Sequence, residues 1–322
     1  MTGTTVPLPV PDAPPGRALH AFAVLVAAST FLLIFAGGLV TTTGSGLAVP
    51  DWPLSFGQFF PPMQGGVLFE HGHRMIAAAV GLLTLVLAVW IWIREPRPAL
   101  RRLAGVALFA VVAQAVLGGV TVLLKLPIWV SVSHACVAQA FFCMVILLAV
   151  FTGKGRPGSP GITTAGRGDR WMVRLAVLTT GVIFLQLLLG AVVRHMGSGL
   201  AIPDFPLAFG RLIPPLRTAG VAVHFFHRVG ALIVTLCFAT TAVALYRRHR
   251  RNMRLVRPAL LGLMLLGLQI GLGASIIWLQ RPVIPTTAHV AVGAGLLSAS
   301  LVLTVRAFQL NSPVADDRGD FA

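Results

Sequence analysis

Residues 44–57 read GSGLAVPDWPLSFG, and the phrase returns at residues 197–210 as GSGLAIPDFPLAFG. Eleven of the fourteen positions are identical, at an offset of 153. Working outward, one added residue aligns His73-Arg74 with His227-Arg228. One more aligns Gln114, Leu117 and Gly118 with Gln269, Leu272 and Gly273, and His134 with His289. Self-similarity over this length marks an internal duplication.

Between these landmarks the chain is apolar. Of 322 residues, 56% are hydrophobic and 11% charged, against about a quarter charged in soluble domains. Uncharged runs occupy 21–40, 75–93, 103–124, 126–153, 175–193, 229–246, 258–280 and 282–305. Each approaches the roughly 20 residues a helix needs to cross the hydrocarbon core. The reading is an all-α integral membrane protein. Its eight transmembrane helices form two tandem pseudo-symmetric four-helix bundles. Four spans per copy give both copies the same orientation, a parallel repeat about an axis along the membrane normal. The expected divisions are a disordered cytoplasmic tail at 1–20, bundles at 21–152 and 171–306, a Gly/Pro-rich cytoplasmic linker at 153–170 and a cytoplasmic tail at 307–322.

A net charge of +16 raises the question of nucleic acid. The distribution answers it, because 18 of the 25 Lys and Arg lie in alternate loops and the tails. The other side holds Lys125, Arg194, Arg211, Arg217 and Arg281 besides the arginines of the two His-Arg pairs. By the positive-inside rule this is a multi-pass protein of the cell membrane with both termini cytoplasmic. Its surroundings are the lipid bilayer, and no nucleic-acid partner is expected. Cys136, Cys143 and Cys237 fall within apolar runs and read as packing residues. No CxxCH occurs, so any haem is held without a thioether.

In each copy one histidine opens the second helix and another stands near the start of the fourth. His73 and His134, and likewise His227 and His289, therefore fall at matched shallow depth on parallel helices. Two imidazoles so placed can meet a flat macrocycle from both faces. The plainer alternative is four histidines hydrogen-bonded between helices. Arg74 and Arg228 are possible propionate contacts through a bidentate guanidinium, or they snorkel to the interface. Gln114 and Gln269 read as interhelical hydrogen-bond partners, with Gly118 and Gly273 permitting close packing. Asp51 and Asp204 read as turn residues, and Trp52 and Phe205 as turn aromatics or covers of a haem edge. The copies diverge at Glu70, three residues before His73, which becomes His224. His71 and Gly72 become Phe225 and Phe226. Divergence of that kind suggests one reactive site and one holding a permanent cofactor. A helix-capping carboxylate is the structural alternative for Glu70.

Taken together, Glu70-x-x-His73-Arg74, His134, His227-Arg228, His289 and the doubled GSGLA-x-PD loop resemble the haem A synthase family over roughly residues 20–306. The resemblance implies oxidation of a ring methyl of haem O to the formyl group of haem A, for terminal oxidase assembly. It implies haem b as cofactor on His227 and His289 in the C-terminal bundle. It also implies a substrate haem O site using His73 and His134 in the N-terminal bundle, with Glu70 as the catalytic carboxylate. Haem O synthase and an unidentified electron donor are the implied partners. The loops lack the cysteine pair that some bacterial members carry, which excludes an outer disulfide relay here. Two rivals share some features: a quinol-linked di-haem b-type cytochrome without methyl oxidation, and a parallel-repeat transporter.

Overall fold

A computed structural model describes residues 16–153 and 170–311. Residues 1–15, 154–169 and 312–322, which include most of the expected tails and linker, lie outside the described residues. Eight helices run in chain order: α1 Arg17–Thr42, α2 Gly66–Arg94, α3 Pro98–Leu123, α4 Ile128–Thr152, α5 Arg170–His195, α6 Ala219–His249, α7 Met253–Trp278 and α8 Val283–Asn311. All eight are long and apolar enough to cross a membrane.

The helices outrun the expected spans. α1 begins within the expected first tail, and α8 runs past 306 to Asn311. The larger difference is at α2 and α6, whose apolar runs stop at Arg74 and Arg228 while the helices start at Gly66 and Ala219. The guanidinium groups explain it, since both are satisfied by loop carbonyls and need not end the helix. Local signals close several ends. Pro98 stands at the first turn of α3, where its missing N–H costs nothing. Thr218 accepts from the Val221 N–H at the start of α6, and Asn252 from the Arg254 N–H at α7.

α1 packs on α2, α2 on α3, α3 on α4 and α4 on α1, closing a ring of four. α5 to α8 close a second ring in the same order. The rings meet where α1 touches α8 and α4 touches α5 and α8, so these helices form the seam. In lipid, packing and hydrogen bonds replace the hydrophobic drive. The first ring uses interlocked apolar side chains, with Phe22 against Trp90 and Phe31 against Phe142. The second adds hydroxyl bridges: Thr179 to Thr241 at 2.8 Å, and Thr180 to Ser300 at 2.7 Å and Thr304 at 2.9 Å. Such bonds contribute about 0.6 kcal/mol each. At the end where α1 begins and α8 finishes, Arg97 bridges Glu95 at 2.7 Å and donates to the Phe151 carbonyl, tying the α2–α3 corner to α4. The three cysteines are free.

Candidate functional site

The four histidines gather towards the opposite end, beneath the long α1–α2 and α5–α6 loops. His73, His134, His227 and His289 lie roughly 9–12 Å along their helices from the loop-side start, at about 1.5 Å per residue. Each ring rests on a glycine of the preceding helix. A Cβ added at Gly37 would stand 3.1 Å from the His73 ring, at Gly118 3.1 Å from His134, at Gly190 3.0 Å from His227, and at Gly273 3.3 Å from His289. Only glycine lets the backbone come so close without moving the ring. The close packing expected of Gly118 and Gly273 is thus packing onto imidazole. Gly37 and Gly190 complete the pattern, and sequence reasoning missed them.

Gln114 donates to the His134 carbonyl at 2.9 Å, an interhelical bond of the expected kind. Gln269 Nε2 stands 3.4 Å from His289 Nε2. α5 contributes a further partner: Gln186 donates to the His227 carbonyl at 2.8 Å, and its Nε2 lies 3.0 Å from His227 Nδ1. The first copy has Leu33 in that place, so only the second copy fixes the opening histidine through a ring nitrogen.

The His227 and His289 ring centres are 6.4 Å apart with planes at 69°. Two imidazole–metal bonds of about 2 Å, with about an ångström from each nitrogen to its ring centre, separate the ring centres by roughly 6 Å. Buried Nδ1 atoms without a hydrogen-bond partner remain on His73, His134 and His289, and the Nε2 of His71 is unpartnered as well. Orphaned polar atoms at that density are rare in a protein interior. The ring spacing of His227 and His289 fits a metal macrocycle held between paired imidazoles. Among the described residues no group of three or more metal-ligating side chains occurs.

Glu70, His71 and Arg74 belong to a latch. Glu70 is 3% exposed, accepting from Arg74 at 2.7 Å and from the Val49 N–H at 2.8 Å. These bonds go to the α1–α2 loop and the next turn, and the expected alternative of a cap on the first turn of α2 is not what forms. Arg74 donates further to the carbonyls of Asp51 (2.7 Å), Leu54 (2.9 Å) and Val49 (3.1 Å). Ser55 meets His71 Nδ1 at 2.8 Å. In the second copy, Arg228 donates to the Leu207 and Ile202 carbonyls and lies 5.8 Å over the Phe205 ring. The Ile202 N–H and Arg228 Nε each point at a nitrogen of His224, both at 3.3 Å. A propionate contact by either arginine competes with these bonds.

The loops repeat in detail. Asp51 accepts from the Phe56 and Gly57 N–H groups, and Asp204 from those of Phe209 and Gly210, closing turns with φ of 69° at both glycines. Those N–H groups, Gly57 and Gly210 foremost, hold both carboxyls below the usual aspartate range. Trp52 lies against the Gly119 backbone of α3, and Phe205 meets Trp278 of α7 edge-on at 6.0 Å.

Comparison with known proteins fits this architecture. A family model described as cytochrome oxidase assembly protein, COX15-CtaA, matches residues 20–71 and 66–301. A protein of Symbiobacterium thermophilum named heme A synthase is 34% identical over 275 residues, covering 80% of this chain and 85% of its own. One of the same name from Shouchella clausii is 28% identical, over 81% and 87%. Another, from Halalkalibacterium halodurans, is 26% identical over 92% of this chain and 99% of its own.

Proposed function

Because the chain belongs to the COX15-CtaA family of cytochrome oxidase assembly proteins, we propose that it is a membrane oxidoreductase converting haem O to haem A. The observation that carries the reading is the doubled pair of glycine-seated histidines, one pair with ring centres 6.4 Å apart. Haem O is the substrate, and one ring methyl becomes a formyl group. That change removes electrons and adds an oxygen atom at an unactivated carbon, which side chains alone do not accomplish.

In our assignment His227 and His289 hold the resident haem, of the b type, and Gln186 orients His227. When bound, that group supplies the electron-transfer chemistry the side chains lack. His73 and His134 hold haem O in the first bundle. The diverged pair Glu70 and His224 supports this division, because the first copy alone places a carboxyl one turn from the opening histidine. Glu70 is assigned to orient the substrate or accept a proton as the methyl is oxidised. Arg74 and Arg228 pin the outer loops as covers, and any N–H they have free is available to a propionate. An electron donor and the enzyme that supplies haem O are the partners. Both termini are assigned to the cytoplasm, from the charge asymmetry of the loops.

Absorption spectra and extracted haem test the whole. After co-expression with a source of haem O, the purified protein should carry low-spin haem and the cells should contain haem A. His227→Ala or His289→Ala should strip the resident haem or turn it high-spin. His73→Ala and His134→Ala should leave that spectrum largely in place and abolish product. A haem-loaded protein that leaves haem O unchanged would be the electron-carrying cytochrome instead.

A further inference from the structure

At the end where α5 starts and α6 finishes, a groove of about 520 Å³ opens on the surface of the second ring. It is lined by Trp171 of α5 and by Ala239, Thr240, Val243, Ala244, Arg247 and Arg248 of α6. The Arg248 guanidinium lies 5.8 Å over the Trp171 ring, a cation–π contact between the two helices. The volume falls within the roughly 300–1,000 Å³ usual for ligand sites.

The first copy provides the comparison, because its helices align here without gaps. Val80, Leu87 and Ile91 of α2 match Val234, Thr241 and Leu245 of α6 at an offset of 154, all of them buried. Leu19 and Ala23 of α1 match Met172 and Ala176 of α5 at an offset of 153, again all buried. In that register Leu85, Val86 and Trp90 occupy the places of Ala239, Thr240 and Ala244. Trp90 packs on Phe22 of α1, with ring centres 5.6 Å apart. Leu175 stands in the place of Phe22, Trp171 in that of Ala18, and Arg247 in that of Ile93, while Arg248 matches Arg94. The second copy thus lacks the bulk that fills this corner of the first, and adds an aromatic wall and a second cation.

Shape and charge select the occupant. Residues 239 to 248 span roughly 14 Å at 1.5 Å per residue, about half the roughly 30 Å hydrocarbon core and so the depth of one leaflet. The lining is apolar along that length and cationic at the helix end, where α5 adds Arg170 and Arg174. Asp169, the one carboxylate close by in sequence, lies outside the described residues. A free phosphate has no use for the apolar part, and a zwitterionic lipid brings a cation of its own against the arginines. We propose that this groove binds one anionic phospholipid, with an acyl chain along Ala239, Thr240, Val243 and Ala244 and the phosphate at Arg247 and Arg248 beside Trp171. The site is independent of the haem assignments above.

The test uses the purified full-length protein in nanodiscs holding equal amounts of phosphatidylglycerol and phosphatidylcholine. Native mass spectrometry then reads the lipid that stays bound. The wild type should retain one phosphatidylglycerol. Arg247→Gln and Arg248→Gln should each lower that retention about fivefold, the equivalent of roughly 1 kcal/mol per charge. Ala244→Trp, which supplies the bulk that Trp90 has in the first copy, should abolish retention. Ala239→Leu is a smaller filling of the same groove and reads the site even where Ala244→Trp disturbs folding. Arg94→Gln, the matching cation of the first copy, should change nothing. Equal retention of both lipids by the wild type would overturn the proposal. So would retention that falls in the arginine variants but not in folded Ala244→Trp or Ala239→Leu, since binding would then belong to the charged surface alone. An isoprenoid quinone carried over from the membrane and retained in place of the phospholipid would overturn it as well.

Discussion

Four imidazoles on four glycines give the sharpest single-residue expectations. Gly190→Val should force His227 from its seat, costing about 1–3 kcal/mol through overpacking and abolishing the low-spin spectrum. Gly181→Ala on the same helix, where an added Cβ meets nothing within 4 Å, should leave the spectrum unchanged. A normal spectrum in Gly190→Val would show that the close approach does not position the ring. Glu70→Gln retains size and the Val49 bond but removes the charge that pairs with Arg74. The expected outcome is folded protein with its resident haem spectrum intact, little haem A, and accumulated haem O or a partly oxidised product. Wild-type haem A from both Glu70→Gln and Glu70→Ala would refute a role in the reaction. The histidines were legible in the sequence because they recur at fixed register. Their glycine seats at 37 and 190 were not, because glycine in a membrane helix has many uses, and only the third dimension shows which ring lies above it.

At the scale of elements, the α1–α2 and α5–α6 loops are each closed by their own aspartate and fastened to a helix by an arginine. The closure depends on pH in a definite direction. The Asp51 carboxyl titrates below its ordinary value of 3.8 because backbone N–H groups favour the charged form. A depressed value means the turn is supported fully above about pH 4 and loses that support as pH falls through the folded value. Hydrogen exchange at the Phe56 and Gly57 amides should accelerate relative to neighbouring amides over that acid range, and Asp51→Asn should exchange fast throughout. Amides insensitive to both would show that the carboxylate does not close the turn. The fastening differs between copies. A carboxylate accepts from two donors at once, whereas a neutral imidazole has one acceptor nitrogen. Glu70 therefore satisfies both the Val49 N–H and Arg74, and a neutral His224 satisfies one of the corresponding two. The doubled loop and the Glu70-to-His224 change were both visible in the sequence. That Glu70 reaches back to Val49 was not, since the contact spans 21 positions and depends on how the loop folds over α2.

Over the whole molecule, eight helices return the chain to the side on which it started. The proposal drawn from the loop charges is that this side is cytoplasmic. A reporter active only outside the cytoplasm should work when fused after Phe60 and fail after Tyr246, and the reverse result would invert the assignment. Span number followed from hydropathy, but span ends did not, because Arg74 and Arg228 look like boundaries until their loop partners are known. Nor did the sequence show which helices meet between the copies. The seam has a consequence for symmetry. Two identical four-helix chains paired about an axis would present every interface residue twice, so an arginine at the position of Arg194 would bring a twin at the place of Thr41. A cation on one side alone requires that the copies be encoded separately. The Arg194 guanidinium, which donates to the Gly38 carbonyl of α1, thus marks a seam that no pair of identical chains could make.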